Sequence, residues 1–389
     1  MVEYIDRRGT RAYKWDGLEV NFGTGDLLPL WVADMDFKVP SCVTDALHRY
    51  IDAPLGYYRT PASYFDAFLN WEKTYHGYEI KKEWLLYSPT VVASLHWAVA
   101  CYTRPGDGVI VLTPVYYPFM NAVRNNPGRT LVQCDLVTRS GHYEIDFAAF
   151  EQSIVENRVT LFILCNPHNP IGRVWTEEEL RQLMEICKRH HVVVVSDEIH
   201  QEFVNPKLGR KKVTTATVGD YDDIIVTMTS PGKTFNLAAT QNAFVIIPNP
   251  VLRGRMETYQ RSIAINDGNG FGYVAVEAAY AHGRPWVDEL LETIYGNYEY
   301  VKTRFAKEAP KVEITDLEGT YLLWMNFGAY FTDTATLSRF MEEKCKVALD
   351  YGEWFGGKQF ASFARMNLAT SLDNVKQACD NIIAALSAL

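Results

Sequence analysis

Four short polar clusters in this 389-residue chain each follow an apolar run, and together their residue types suit carbonyl–amine chemistry. Lys233 closes the cluster Ser230-Pro-Gly-Lys after the run 223–229, and Asp197 sits in SDEIH after the run 192–196. CNPHNPIG follows the run 159–166, and Ser88-Pro-Thr90-Val91-Val92 follows the run 84–87 and reads as a helix N-terminus. Taken singly these residues are ordinary: a lone lysine is most often a surface lysine, and Asp197 could simply cap the segment after it. Together they are more specific. An amine at the end of a strand covered on both faces is held away from water, which lowers its pKa and suits a Schiff-base lysine. A carboxylate at a neighbouring strand end keeps a pyridinium nitrogen protonated, and the free N–H groups of a helix N-terminus hold a phosphate. The combination describes a pocket for pyridoxal 5'-phosphate (PLP).

The elements that must position these residues follow from periodicity. Short runs at 84–88, 109–112, 130–137, 159–166, 192–198, 223–229 and 242–248 are rich in Val, Ile, Leu and Phe and bounded by Pro and Gly, as in strands buried on both faces. Between them lie amphipathic segments. The clearest is TEEELRQLMEICKRH, where Thr176 and Glu179 form a capping box, Leu180, Leu183, Ile186 and Cys187 share one face, and His190 stands in the last turn. Strand, crossover helix, strand is the βαβ unit, so the fold class is α/β, with a mostly parallel central sheet flanked by helices. In such sheets ligands bind at the carboxyl ends of the strands, where all four clusters fall. From about residue 285 the pattern changes to a long helix (286–306), short strands around TYLLWMNF and a closing helix (373–389), the signature of a smaller α+β domain. The expected organisation is an N-terminal segment 1–48 contributing to the small domain, a large cofactor-binding domain 49–284 and a small C-terminal domain 285–389. The aromatic segment WVADMDF has no position that pattern alone can assign.

Composition excludes several functions. With 38 basic and 47 acidic side chains the net charge is −9, which argues against a nucleic-acid or anionic-membrane binder. Seven scattered cysteines without a C-x-x-C pair suit neither a disulfide framework nor a zinc ribbon, and no apolar run approaches the ~20 residues that span a bilayer. The expectation is a cytoplasmic protein that binds no nucleic acid, membrane or metal. GNGFG (268–272) follows no strand, so it is not a dinucleotide fingerprint, and His190 and His191 lack the spacing of a zinc protease.

Several motifs together resemble a known family. KWDG at Lys14, PLWVADMDF (29–37), GYY (56–58), PGDGVIVLTPVYYPF (105–119), CNPHNPIGRVW (165–175), SDEIH (196–200), GKTFNLA (232–238), EGTYLLW (318–324) and ARMNLA (364–369) occur in an order similar to that of fold-type I PLP enzymes. Within them the chain most resembles the cystathionine β-lyase and cystalysin-like carbon–sulfur lyases, themselves similar to class I and II aminotransferases. The resemblance implies that Lys233 carries the cofactor and, once freed, takes the substrate's Cα proton, and that Asp197 pairs with the pyridine nitrogen. It places Asn169 and His200 near the pyridine 3-oxygen, with a supporting role behind Asp197 as an equal alternative for His200. Tyr116 would stack on the ring, with Tyr117 as the alternative. The backbone of Thr90, Val91 and Val92, the Ser230 hydroxyl and Tyr57 from a second subunit would hold the phosphate, which implies a homodimer with a shared active site. Arg365 would grip the carboxylate of a small-molecule amino-acid substrate.

Two positions depart from the family pattern. Gly232 stands where Ser is usual, and Ala239 replaces the Gly of NLAG, which points to a differently held cofactor rather than an inactive site. The implied activity is α,β-elimination from a sulfur amino acid, giving pyruvate, ammonia and a thiol. A PLP-dependent aminotransferase using the same Lys233, Asp197 and Arg365 is the first alternative, and a PLP-binding regulatory protein the second.

Overall fold

The computed structural model describes residues 2–139, 141–265 and 267–389. Seven strands form the central sheet: β1 (Leu85–Ser88), β2 (Gly108–Thr113), β3 (Thr130–Asp135), β4 (Val159–Cys165), β5 (Val193–Asp197), β6 (Ile225–Thr229) and β7 (Ala243–Ile246). Their order is β1-β7-β6-β5-β4-β2-β3, and β7 alone runs antiparallel to its neighbours. The alternation of side chains along each strand explains the unbroken apolar runs. Ile110, Phe162, Leu164, Val194 and Ile225 enter one helix-covered core, whereas Val109, Leu161, Ile163, Val195 and Val226 enter the core on the opposite face. The helix Glu177–Arg189 carries the Thr176–Glu179 capping box and buries Leu180, Leu183, Ile186 and Cys187, with His190 at its C-cap.

One expected strand is shorter than its apolar run. The run 130–137 leaves the sheet after Asp135, and Val137–Arg139 turns into a separate hairpin with His142–Glu144. The Leu136 N–H bonds the Thr113 carbonyl, ending the ladder where β2 itself ends.

A second, antiparallel sheet contains β8 (Glu313–Ile314), β9 (Leu322–Asn326), β10 (Asp350–Tyr351) and β11 (Phe363–Asn367), in the order β8-β9-β11-β10. Its core takes Ile294, Tyr298, Val301 and Phe305 from the 25-residue helix Arg284–Glu308, Val375 and Ile382 from the helix Leu372–Ser387, and Trp15, Leu30, Met35 and Phe37 from the N-terminus.

That packing explains two sequence motifs at once. Lys14 of KWDG and Asp36 of WVADMDF form a fully buried ion pair at 2.6 Å, and the Trp15 indole N–H donates to the other Asp36 oxygen at 2.8 Å. Asn367 then donates to the carbonyls of Val32 and Asp34 at 2.8 and 2.7 Å, tying the segment to β11. From the other side, Asn236 of GKTFNLA bonds both the N–H and the carbonyl of Met35. Asn236 has φ of +57°, a left-handed conformation that asparagine tolerates. WVADMDF is therefore a strap between the two packing units.

Candidate active site

The carboxyl ends of β4, β5 and β6 and the N-terminus of the helix Val91–Tyr102 open onto one cavity of about 170 Å³. The order in space is that of the sheet, in which β5 lies between β4 and β6, so sequence-distant clusters meet at one edge.

Lys233 follows β6 on the short helix Pro231–Thr234, and its Nζ donates to the Ala33 carbonyl of the strap at 2.5 Å. Burial lowers its pKa to about 8, helped by Arg365 and opposed by Asp34 and Asp197. Asp197 ends β5 and is 5% exposed; one carboxylate oxygen accepts the Ile199 N–H at 3.0 Å. Burial pushes this carboxyl up to about 7, against the Ile199 hydrogen bond and the Lys233 charge. An anion so desolvated is stabilised by a cation placed beside it.

Opposite, Thr90 caps its helix in extended conformation, its Oγ1 accepting the Ala93 N–H at 3.0 Å. Val91 and Val92 line the cavity next to it, and their N–H groups have no carbonyl a turn back to bond. Ser230 also lines the cavity, but its hydroxyl is engaged, donating to the Asn242 carbonyl at 2.7 Å and accepting the Gly232 N–H at 3.0 Å. A Cβ on Gly232 would lie 3.1 Å from that hydroxyl, so the missing serine would stand beside Ser230. Ala239 has no positive φ, so its backbone does not require the glycine usual there.

Tyr116 and Asn169 complete the wall, joined by a Tyr116 N–H to Asn169 carbonyl hydrogen bond of 3.1 Å. Tyr117 turns away from the cavity and packs on Trp354 and Phe355. His200 lines the cavity with Nδ1 buried and unpaired, its ring edge-on to Tyr321 at 5.6 Å. Burial, with the nearby Lys233 and Arg365 charges, holds its pKa well below the ordinary value, so the imidazole is neutral. No hydrogen bond links it to Asp197. Arg365, 1% exposed on β11, lies behind Asn169 and donates to its Oδ1 at 3.0 Å. Tyr57 alone stands apart, fully exposed on the surface.

An amine, a desolvated carboxylate and unbonded N–H groups around one cavity match the substituents of PLP: aldehyde, ring nitrogen and phosphate. The family model of class I and II aminotransferases matches residues 27–382. Cystathionine beta-lyase PatB of Bacillus subtilis is 40% identical over 385 residues, 98% of each chain. Cystalysin of Treponema denticola, whose structure contains PLP, superposes with a TM-score of 0.95 at 32% identity, covering 100% of this chain and 98% of that one. The PLP-bound C–S lyase of Staphylococcus hominis superposes at 0.91, also 32% identical, covering 99% and 97%. The chain belongs to the class I and II aminotransferase family, in its carbon–sulfur lyase branch. It is a PLP-dependent enzyme of fold type I.

In this lyase several site groups escape a reading of the sequence by residue type. The Ala33 carbonyl holds Lys233 through its backbone, which no side chain announces. Asn242, which lines the cavity with Nδ2 unpaired, follows no apolar run. Tyr321, inside EGTYLLW, donates its hydroxyl to the same Ala33 carbonyl at 3.1 Å. Glu198 of SDEIH is not a site residue: it is fully buried behind Asp197, accepting from Ser196, the Thr215 N–H and Lys212.

Proposed function

We propose that this lyase eliminates a thiol from L-cystathionine and related amino acids bearing sulfur on Cβ, yielding pyruvate and ammonia. The observation that carries this reading is the convergence of Lys233, Asp197 and the N-terminus of the helix Val91–Tyr102 on one buried cavity. Bound PLP withdraws electrons from the substrate's Cα and so stabilises the charge left when its proton departs. Lys233 takes that proton; burial brings its amine to about 8, so a useful fraction is unprotonated near neutral pH. Asp197 would hold the proton of the ring nitrogen, Tyr116 would cover one ring face, and Thr90, Val91 and Val92 would bind the phosphate, joined by Ser230 once its hydroxyl turns from the Asn242 carbonyl. Asn169 and a neutral His200 would face the ring's 3-oxygen, and Arg365 would receive the substrate carboxylate.

Tyr57 reaches the phosphate site of a second subunit. Its ring is fully exposed, and Ile51, Leu55 and Phe271 are exposed large apolar neighbours of the same region, a surface suited to a homodimer with a shared active site. The chain divides into an N-terminal segment 1–48 contributing to the small domain, a large cofactor-binding domain 49–284 and a small C-terminal domain 285–389. No helix of the described residues is long and apolar enough to cross a membrane, and all seven cysteines are free, which supports a place in the cytoplasm.

Incubation of the holoenzyme with L-cystathionine and no 2-oxo acid tests the reading. Equal amounts of pyruvate, ammonia and thiol are expected. Turnover only after a 2-oxo acid is added would instead identify an aminotransferase, and no turnover by PLP-loaded protein would favour a regulatory role.

A further inference from the structure

Arg365 already holds a carboxylate. Asp350 on β10 lies directly across from it on β11, and the two side chains form an ion pair, 3% and 1% exposed. Arg365 Nη2 donates to Asp350 Oδ2 and to the Trp31 carbonyl, Nη1 donates to Asn169 Oδ1, and the buried Nε–H has no acceptor. A guanidinium grips a carboxylate through two parallel N–H bonds, either from Nη1 and Nη2 or from Nε and Nη2. Both forks include Nη2, whose two hydrogens are engaged. A substrate carboxylate therefore obtains a fork only if a resident acceptor gives way, and the Asp350 side chain is freer to move than the Trp31 backbone.

We infer that Asp350 is a specificity-determining residue that competes with the substrate carboxylate for Arg365, so that amino acids bind by carboxylate exchange with uptake of a proton. This rests on the reading of Arg365 as the carboxylate receptor. One guanidinium does not balance two buried carboxylates, so the displaced Asp350 is neutralised. Burial already pushes its pKa up to about 6, against the pull of Arg365. The other groups around it are Arg365 on β11, Tyr116 and Tyr117 after β2, and Tyr351 on its own strand. Burial raises all three phenols, which keeps them neutral. The cost of displacing Asp350 therefore rises with pH above about 6, by up to about tenfold per pH unit while one proton is taken up, on top of the opposite pH dependence of the substrate's own ammonium group.

The holoenzyme is titrated with L-alanine, which has no leaving group, between pH 6.5 and 8.5, following the absorbance of the bound cofactor. Asp350→Asn is expected to tighten L-alanine about tenfold at pH 8, and the ratio of wild-type to variant dissociation constants should rise with pH, the substrate's own ammonium titration being common to both. L-alanine methyl ester, lacking the carboxylate, should bind both proteins alike. Asp350→Ser serves if the asparagine variant does not fold. Unchanged or weaker L-alanine binding with a parallel pH profile overturns the proposal. Arg365→Lys separates the two levels: if it leaves L-alanine affinity intact, the receptor reading fails and the proposal with it. If it weakens binding while Asp350→Asn changes nothing, the exchange alone is wrong.

Discussion

Lys233 and Asp197 are each costly in isolation: the cavity that lowers the amine to about 8 also raises the carboxyl to about 7. Lys233→Ala should abolish elimination, with loss of at least about 10³-fold in kcat, because it removes both the cofactor's attachment and the base. Asp197→Asn separates function from stability. The folded carboxyl titrates above its ordinary 3.8, so stability is full below that value and is lost as pH rises toward about 7. Cofactor-free Asp197→Asn should therefore melt higher than cofactor-free wild type at pH 8, by about 1 °C for each kcal/mol regained in a chain of 389 residues, while losing most activity with PLP. Equal melting curves at pH 8 would refute this. Gly232→Ser places a second hydroxyl beside Ser230, whose own is engaged. A hydrogen bond to a charged group contributes about 1.5–3 kcal/mol, so the variant should hold PLP about tenfold more tightly in a fluorescence titration. A native protein that binds PLP as tightly as the variant would remove the significance of this departure.

At the scale of elements, the helix Val91–Tyr102 and the strap 29–37 do the positioning. Thr90→Ala removes the N-cap bond to Ala93 and should cost about 1 kcal/mol, read by chemical denaturation, with weaker PLP binding alongside. The strap depends on Lys14 and Asp36. Lys14→Met leaves Asp36 buried without its cation and should destabilise by about 3–5 kcal/mol. Because Ala33 and Asp34 follow the same strap to Lys233, activity should fall in the fraction that remains folded. The strands and the capped helix Glu177–Arg189 were legible because burial on two faces and helix capping leave local signatures. The strap was not, because its position is set by Asn236 and Asn367, more than 200 and 300 residues away.

In the whole molecule, the cavity is assembled from clusters between residues 88 and 242 and closed by Ala33, with Arg365 behind Asn169. If Tyr57 completes a partner's phosphate site, Tyr57→Phe should weaken PLP binding several-fold without changing the sedimentation of the dimer. Mixing that variant with Lys233→Ala should restore sites in heterodimers that pair an intact Lys233 with an intact Tyr57. No recovered activity on mixing would exclude sharing.

The mostly parallel sheet, the lysine and carboxylate at adjacent strand ends and the helix N-terminus facing them can be read from the chain alone, because each depends on local periodicity and on the rule that such sheets bind ligands at their carboxyl edge. Motif order added Arg365, Tyr116 and Asn169. What holds these groups is visible only in the folded chain. The Ala33 carbonyl on Lys233, the engaged hydroxyl of Ser230 and the Asp350 carboxylate on Arg365 are contacts between segments with no common pattern in the chain. A hydrogen bond or ion pair across a fold depends on where two backbones meet, and spacing along one backbone carries no record of that.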